Sequence, residues 1–135
     1  MKRISQSQHD QIVRYAVNYL MNNGFSDIRA DLQGQVKPTK ITWKLTGHGH
    51  IPDVTAQNGQ FYLFEVETDD SIFNDHTENQ WKLFATYARE HNAKFWVVVP
   101  AGSEASVQLR LNELGIQAEV WGCVKLESNR GSLHL

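Results

Sequence analysis

The sequence predicts an α/β fold, in which one domain has a mixed central β-sheet flanked by helices. The first observation is the order of hydrophobic patterns: one helix, three or four antiparallel strands, then helix, strand, helix and strand. The second is Asn58-Gly59 between two apolar segments, which is typical of a β-hairpin. With 135 residues, 41% hydrophobic and 21% charged, the chain has the length and composition of one globular domain. We assign residues 1–126 to this domain and residues 127–135 to a flexible tail.

The first half of the chain is predicted to contain one helix and two strands before the hairpin. Residues 7–23 form the helix, because apolar residues recur at helical spacing and Gly24 can end it. Residues 28–32 and 41–45 alternate between apolar and polar side chains, as half-buried strands do. Gly47-His48-Gly49-His50 is expected to be a flexible link.

The second half alternates between helical and strand patterns. A capping-box pattern starts a helix at Asp75 that runs to about His91, and residues 95–99 form a continuous apolar run, as in an interior strand. A helix capped by Ser103 and the strand 116–121 follow. Trp121 alternates away from the apolar face of that strand, so we expect it to be exposed and to mark a contact or dimer surface.

The hairpin carries three carboxylates, Asp53, Glu65 and Glu67, within an otherwise apolar segment. Glu65 and Glu67 are two residues apart, so their side chains leave the same face of a strand. Like charges buried together are costly unless a positive charge joins them. The pattern therefore predicts a bound divalent cation, and the competing interpretation is a solvated strand face.

The hairpin register tests this prediction. A two-residue Asn58-Gly59 turn would pair Gln57 with Gln60 and set Asp53 opposite Phe64, on the wrong face for Glu65. A three-residue loop, or a bulge near Pro52, would return Asp53 to the face of the glutamates. We predict one of these two irregularities.

Pro52-Asp53, followed after 11 residues by Glu65-Val66-Glu67, resembles the signature of the PD-(D/E)xK nuclease superfamily, which has the restriction-endonuclease-like fold. The detailed similarity covers residues 50–68, and the order of elements extends it to most of the chain. The family usually has a lysine at the third catalytic position, where this chain has Glu67. Glutamate is known at that position in some restriction enzymes of the superfamily.

The resemblance implies a metal-dependent endonuclease or exonuclease that hydrolyses phosphodiester bonds, in DNA rather than RNA. Asp53 and Glu65 would hold Mg²⁺ or Mn²⁺ with the Val66 carbonyl as a further ligand. Glu67 would act as general base or bind a second ion. A small nuclease domain of this kind is expected to work as a homodimer or beside a DNA-targeting partner protein.

Further candidates flank the motif. Family members often place a glutamine where Gln80 stands, pointing at the metal or the scissile phosphate. Lys82 could replace the missing lysine, but it leaves the helix roughly 200° round from Gln80, so both cannot face the metal easily. On the first helix, His9 or Asp10 could reach the site. Ordinary exposed or packing roles compete with each of these assignments.

Two further groups have alternative interpretations. His48 and His50 form a His-x-His pair that could bind a transition metal, contact phosphate or shuttle a proton, or could serve a site for another ligand. A basic patch could bind backbone phosphates, or could be a solvated strand face. The patch residues are Arg29, Lys37, Lys40 and Lys44.

Composition limits the other function classes. The formal net charge of −2 argues against a generally basic nucleic-acid-binding surface, so DNA would need a local basic patch or metal ions. The single cysteine, Cys123, excludes an internal disulfide and a cysteine-based zinc cluster. The chain shows no apolar run of membrane-spanning length and no signal-peptide pattern, so we expect no membrane partner and a cytoplasmic location. The alternative function is a non-catalytic restriction-endonuclease-like module that binds DNA or protein.

Overall fold

The computed structural model describes residues 4–123, which form three helices and seven strands. The predicted tail, residues 127–135, lies outside the described residues. In chain order the elements are α1 (Ile4–Asn22), β1 (Ser26–Ala30), β2 (Ile41–Thr42), β3 (Gly49–His50), β4 (Val54–Gln57), β5 (Phe61–Val66), α2 (Asp75–His91), β6 (Lys94–Pro100), α3 (Glu104–Leu114) and β7 (Glu119–Cys123).

Five strands form one mixed sheet in the order β1-β4-β5-β6-β7. β1, β4 and β5 pair antiparallel, whereas β5, β6 and β7 pair parallel. The parallel pairs require crossover connections, which α2 and α3 supply. The predicted α/β fold with a mixed sheet flanked by helices is therefore confirmed. None of the described helices has the length and apolar character needed to span a bilayer.

The sheet is covered on both faces. Val54, Phe64 and Val98 pack with α1 on one face, whereas Leu63 and Val97 pack with α2 and α3 on the other. This arrangement buries β6 between two neighbouring strands, as its continuous apolar run predicted.

The prediction that Trp121 is exposed is wrong. Its side chain is fully buried, with its ring centroid 5.0 Å from Tyr19 and 5.8 Å from Phe64. The prediction failed because both faces of β7 are covered, so alternation along this strand does not separate inside from outside.

A small two-stranded sheet replaces the second predicted strand. β2 ends at Thr42 and pairs with β3, so Gly49 and His50 belong to a strand rather than to a flexible link. The chain reverses between them, where the Gly47 amide donates to the Trp43 carbonyl at 2.9 Å and Gly47 has a φ of 74°. Leu45 therefore leaves the strand pattern and is fully exposed.

The N-terminal ends of α2 and α3 lie next to the loop that follows β5. Asn74, rather than Asp75, caps α2, because its side chain accepts a hydrogen bond from the His76 amide at 2.7 Å. Ser103 stands at the N-cap position of α3, but its hydroxyl donates to Asp69 Oδ1 at 2.5 Å. This bond ties the loop after β5 to the start of α3.

Candidate active site

The β4–β5 hairpin has one of the two irregularities that the sequence predicted. Gln57 pairs with Phe61, which leaves a three-residue loop of Asn58, Gly59 and Gln60. Gly59 has a φ of 76°, which glycine adopts without strain. Val54 pairs with Phe64, so the preceding residue, Asp53, falls opposite Glu65.

The carboxylates of Asp53 and Glu65 each accept a hydrogen bond from a backbone amide. The Asp53 amide donates to Glu65 Oε1 at 2.9 Å, and the Val66 amide donates to Asp53 Oδ2 at 2.8 Å. Glu65 is almost fully buried, whereas Asp53 keeps partial exposure. Burial, followed by the charges of Asp53 and Glu67, raises the pKa of Glu65 well above its ordinary value.

Glu67 is buried at the end of β5 and is held by two donors. Ser71 Oγ donates to Oε1 at 2.7 Å, and Trp81 Nε1 donates to Oε2 at 3.1 Å. Burial and the charge of Asp53 raise the pKa of Glu67 to about 7, although the bonds from Ser71 and Trp81 and the charge of His9 lower it. Sequence reasoning missed Ser71 and Trp81, because Trp81 belongs to an apolar helical stripe that signals only packing.

His9 on α1 reaches the carboxylates, as one of the sequence interpretations allowed. Its Nε2 lies 3.2 Å from Asp53 Oδ2, and its Nδ1 lies 3.2 Å from Asp10 Oδ1. Burial alone would lower the pKa of His9, but hydrogen bonds to Asp53 and Asp10 and their charges raise it to about 9. A positive imidazolium therefore offsets part of the carboxylate charge at neutral pH.

A cavity of about 340 Å³, here called the carboxylate cleft, collects four of the predicted residues: His9, Asp53, Glu67 and Gln80. Glu65 lies beneath Asp53 and does not line it. The cleft wall also includes His76 and Asp70, which sequence reasoning did not single out. Their positions depend on the turn between β5 and α2, which no residue spacing predicts.

Several other candidates lie outside the cleft. Lys82 is exposed and donates to Glu78 Oε2 at 2.6 Å. Gln80 lines the cleft and Lys82 does not, in agreement with the prediction that both cannot face the site. His48 is exposed in the turn between β2 and β3. His50 lies beside the cleft wall, with its ring centroid 5.2 Å from that of His76.

The predicted basic patch is divided in the structure. Arg29 pairs with Asp27 at 3.1 Å and Lys37 pairs with Asp31 at 3.0 Å. Lys40 and Lys44 instead line a separate cavity of about 910 Å³ between the β2–β3 segment and α2. The four residues therefore do not line one common surface feature.

The cleft offers carboxylate oxygens, which hard cations prefer, but not a complete set of protein ligands. Within residues 4–123, no group of three or more His, Cys, Asp or Glu side chains is arranged to hold a metal ion. Mg²⁺, however, binds through one or two carboxylates and keeps several waters. Asp53 and Glu67 both line the cleft with the Val66 backbone beside them, so the residues fit a largely hydrated ion better than one enclosed by protein.

The chain matches no family model, no curated protein and no solved structure. The resemblance to PD-(D/E)xK nucleases accordingly depends on the motif in residues 50–68 and on the order of elements.

Proposed function

We propose that this chain is a restriction-endonuclease-like, Mg²⁺-dependent nuclease that hydrolyses phosphodiester bonds in DNA. The observation that supports this proposal is the hairpin register, which sets Asp53 opposite Glu65 and brings Asp53 and Glu67 into one cleft with Gln80. An acidic cleft of this kind repels a phosphate unless positive charge is added, and a divalent cation adds it.

In this proposal Asp53 would hold the ion from the cleft, with the Val66 carbonyl as a further oxygen ligand. Glu65, the second ligand that the resemblance implies, would have to turn from the Asp53 amide toward the cleft to reach the ion. Bound Mg²⁺ or Mn²⁺ supplies charge stabilisation at the phosphoryl oxygens and lowers the pKa of the attacking water. The Val66 amide fixes one Asp53 oxygen, which keeps the carboxylate oriented.

Glu67 and Gln80 have separate roles. The Glu67 carboxylate, with a pKa of about 7, is suited to accept a proton from water near neutral pH. Trp81 and Ser71 hold that carboxylate in place, so its position does not depend on the substrate. Gln80 lines the same cleft and can donate its amide N–H to a phosphate oxygen.

The test is Asp53→Asn, compared with Asp27→Asn. Asp27 is an exposed aspartate with a φ of 47°, which asparagine also tolerates, so this control removes a carboxylate far from the cleft. We expect Asp53→Asn to lose calorimetric Mg²⁺ or Mn²⁺ binding and DNA cleavage, while Asp27→Asn keeps both. Unchanged metal affinity in Asp53→Asn would remove the nuclease proposal.

A second candidate function is a non-catalytic module of the same fold that binds DNA or protein. The ion pair between His9 and Asp53 favours it, because a protonated imidazole already supplies a positive charge to the carboxylates without any metal. Metal titration followed by NMR of the histidine rings separates the two functions. If millimolar Mg²⁺ leaves the His9 signals unchanged, the non-catalytic module is favoured.

A further inference from the structure

The cavity of about 910 Å³ beside α2 has a predominantly apolar lining and several aromatic rings. We call it the aromatic groove and define it by Trp43, Phe61, Tyr87 and His91, with Lys40 and Lys44 among its other lining residues. Residues 39–46, which include β2, form one wall, and α2 forms the other. The groove is separate from the carboxylate cleft, since the two share no lining residue.

The rings of the groove are held by rigid elements. Tyr87 and His91 stand one turn apart on α2, with ring centroids 3.9 Å apart and planes inclined by 20°. His91 Nδ1 lies 2.9 Å from the Tyr87 carbonyl, which fixes the orientation of its ring. Phe61 from β5 meets Tyr87 edge to face at 6.2 Å. These contacts hold the rings in place. Tyr87 and His91 cover one face of each other, so a ligand would meet the remaining ring faces and edges.

The groove also has positive charge at its rim. Lys40 and Lys44 are exposed, and neither forms an ion pair within residues 4–123, in contrast to Lys37 with Asp31. Glu90 lines the groove as well, so two ammonium groups face one carboxylate. In a chain with a net charge of −2, this is a local excess of positive charge next to aromatic surface.

We propose that the aromatic groove binds unpaired nucleotides of a DNA strand, with bases packed on the rings and phosphates at Lys40 and Lys44. Sites for single-stranded nucleic acid combine aromatic stacking surfaces with a positively charged track for the backbone. Paired bases bury their faces in the duplex stack, so a concave aromatic site selects unpaired ones. An apolar peptide would fill the groove but would leave the two lysines without a partner.

The groove and the cleft lie on either side of one short strand pair. Ile41 lines the groove and pairs with His50, and the His50 ring is 5.2 Å from His76 in the cleft wall. A strand held in the groove therefore has a short route to the carboxylates past His50. This step rests on the proposed nuclease function, and it defines the substrate as DNA with a single-stranded segment next to the scissile bond.

Binding is tested without metal, so that cleavage plays no part. A fluorescein-labelled oligothymidylate and a duplex of equal length are titrated with protein in EDTA, and anisotropy is recorded. We expect tighter binding of the single strand, weakened about 10-fold or more by Tyr87→Leu. Lys40→Gln/Lys44→Gln should weaken binding and reduce its salt dependence, whereas Lys37→Gln/Lys82→Gln should change neither.

The outcomes separate this proposal from the nuclease proposal. Asp53→Asn should still bind the oligothymidylate in EDTA. If the wild-type protein binds the oligothymidylate but does not cleave DNA when metal is added, only the nuclease proposal is refuted. Equal affinity for single strand and duplex, or unchanged binding in the Lys40→Gln/Lys44→Gln protein, would overturn the groove proposal. A protein that is a dimer by light scattering and causes no anisotropy change in the labelled oligothymidylate would also overturn it. Because both lysines are exposed, that double variant remains informative if Tyr87→Leu fails to fold.

Discussion

Nε2 of His9 lies 3.2 Å from Oδ2 of Asp53, the same oxygen that accepts the Val66 amide. This contact ties the first helix to the end of the central hairpin through a charged pair. Because a divalent cation would bind the same carboxylate, His9 and the cation are expected to compete electrostatically for Asp53. Two properties of the protein follow from this arrangement.

The first prediction concerns stability and pH. The folded pKa of His9, about 9, lies above its ordinary value of 6.5. Its stabilisation is therefore fully present below pH 6.5 and is lost as the pH rises through 9. We expect the free energy of unfolding to fall by up to about 3 kcal/mol across this window, and His9→Gln to remove that fall.

Urea denaturation at pH 6 and pH 9 measures this difference. The exposed His91, changed to Gln, is the control and should show the same pH dependence as the wild-type protein. If His9→Gln loses as much stability as the wild-type protein between these values, the His9–Asp53 pair does not carry the effect.

The second prediction concerns metal affinity. Replacing His9 by Gln removes a positive charge close to Asp53, so Mg²⁺ affinity should rise at neutral pH. At an effective dielectric constant near that of a protein surface, such a charge is worth about 1 kcal/mol or more, which corresponds to about fivefold or more in Kd. Isothermal titration calorimetry with Mg²⁺ measures it, and weaker binding in His9→Gln would mean that the imidazole supports the metal instead.

The third prediction concerns Glu67. The Trp81 indole lowers the pKa of Glu67, so Trp81→Phe should raise it above its value of about 7. The titration is followed by NMR of the ¹³C-labelled glutamate carboxyl. Trp121→Phe is a matched control, because Trp121 is equally buried and its Nε1 has no hydrogen-bond partner in the described residues. An equal change in both variants would point to general loosening rather than to the lost bond.

The sequence carried most of the information for the hairpin and its carboxylates. Alternation fixes which residues share a face, and a shared site required Asp53 to join Glu65, so the sequence predicted either a three-residue loop or a bulge near Pro52. The structure has the three-residue loop. The helical angle between Gln80 and Lys82 likewise predicted that only one of them can face the site, and Gln80 lines the cleft whereas Lys82 does not.

Features that depend on long-range packing could not be predicted in this way. The prediction that Trp121 is exposed failed, because alternation along a strand marks an exposed face only where one side of the sheet meets water. The donors that hold Glu67, Ser71 and Trp81, come from a turn and from an apolar helical stripe, and neither pattern encodes a contact with a carboxylate. The position of His9 depends on where α1 crosses the sheet, which its own sequence does not specify.

The last prediction separates the two polar residues at the start of α2. Gln80 lines the carboxylate cleft, whereas Lys82 points away and bonds Glu78. Gln80→Ala should lower the DNA cleavage rate about 10- to 100-fold, because misplacing a substrate by about 1 Å has effects of this size. Its Mg²⁺ affinity should stay unchanged, since an amide side chain adds no charge to the site.

Single-turnover cleavage at saturating metal, with calorimetric Mg²⁺ binding alongside, measures both quantities. Lys82→Ala is the matched control and should leave both unchanged, because its ammonium is paired outside the cleft. A rate lost in Lys82→Ala but kept in Gln80→Ala would reverse the assignment, and it would mean that the lysine missing from the strand is supplied by the helix. Such a result would require Lys82 to leave Glu78 when DNA binds. Glu78→Gln would weaken that ion pair, so it should then raise the cleavage rate.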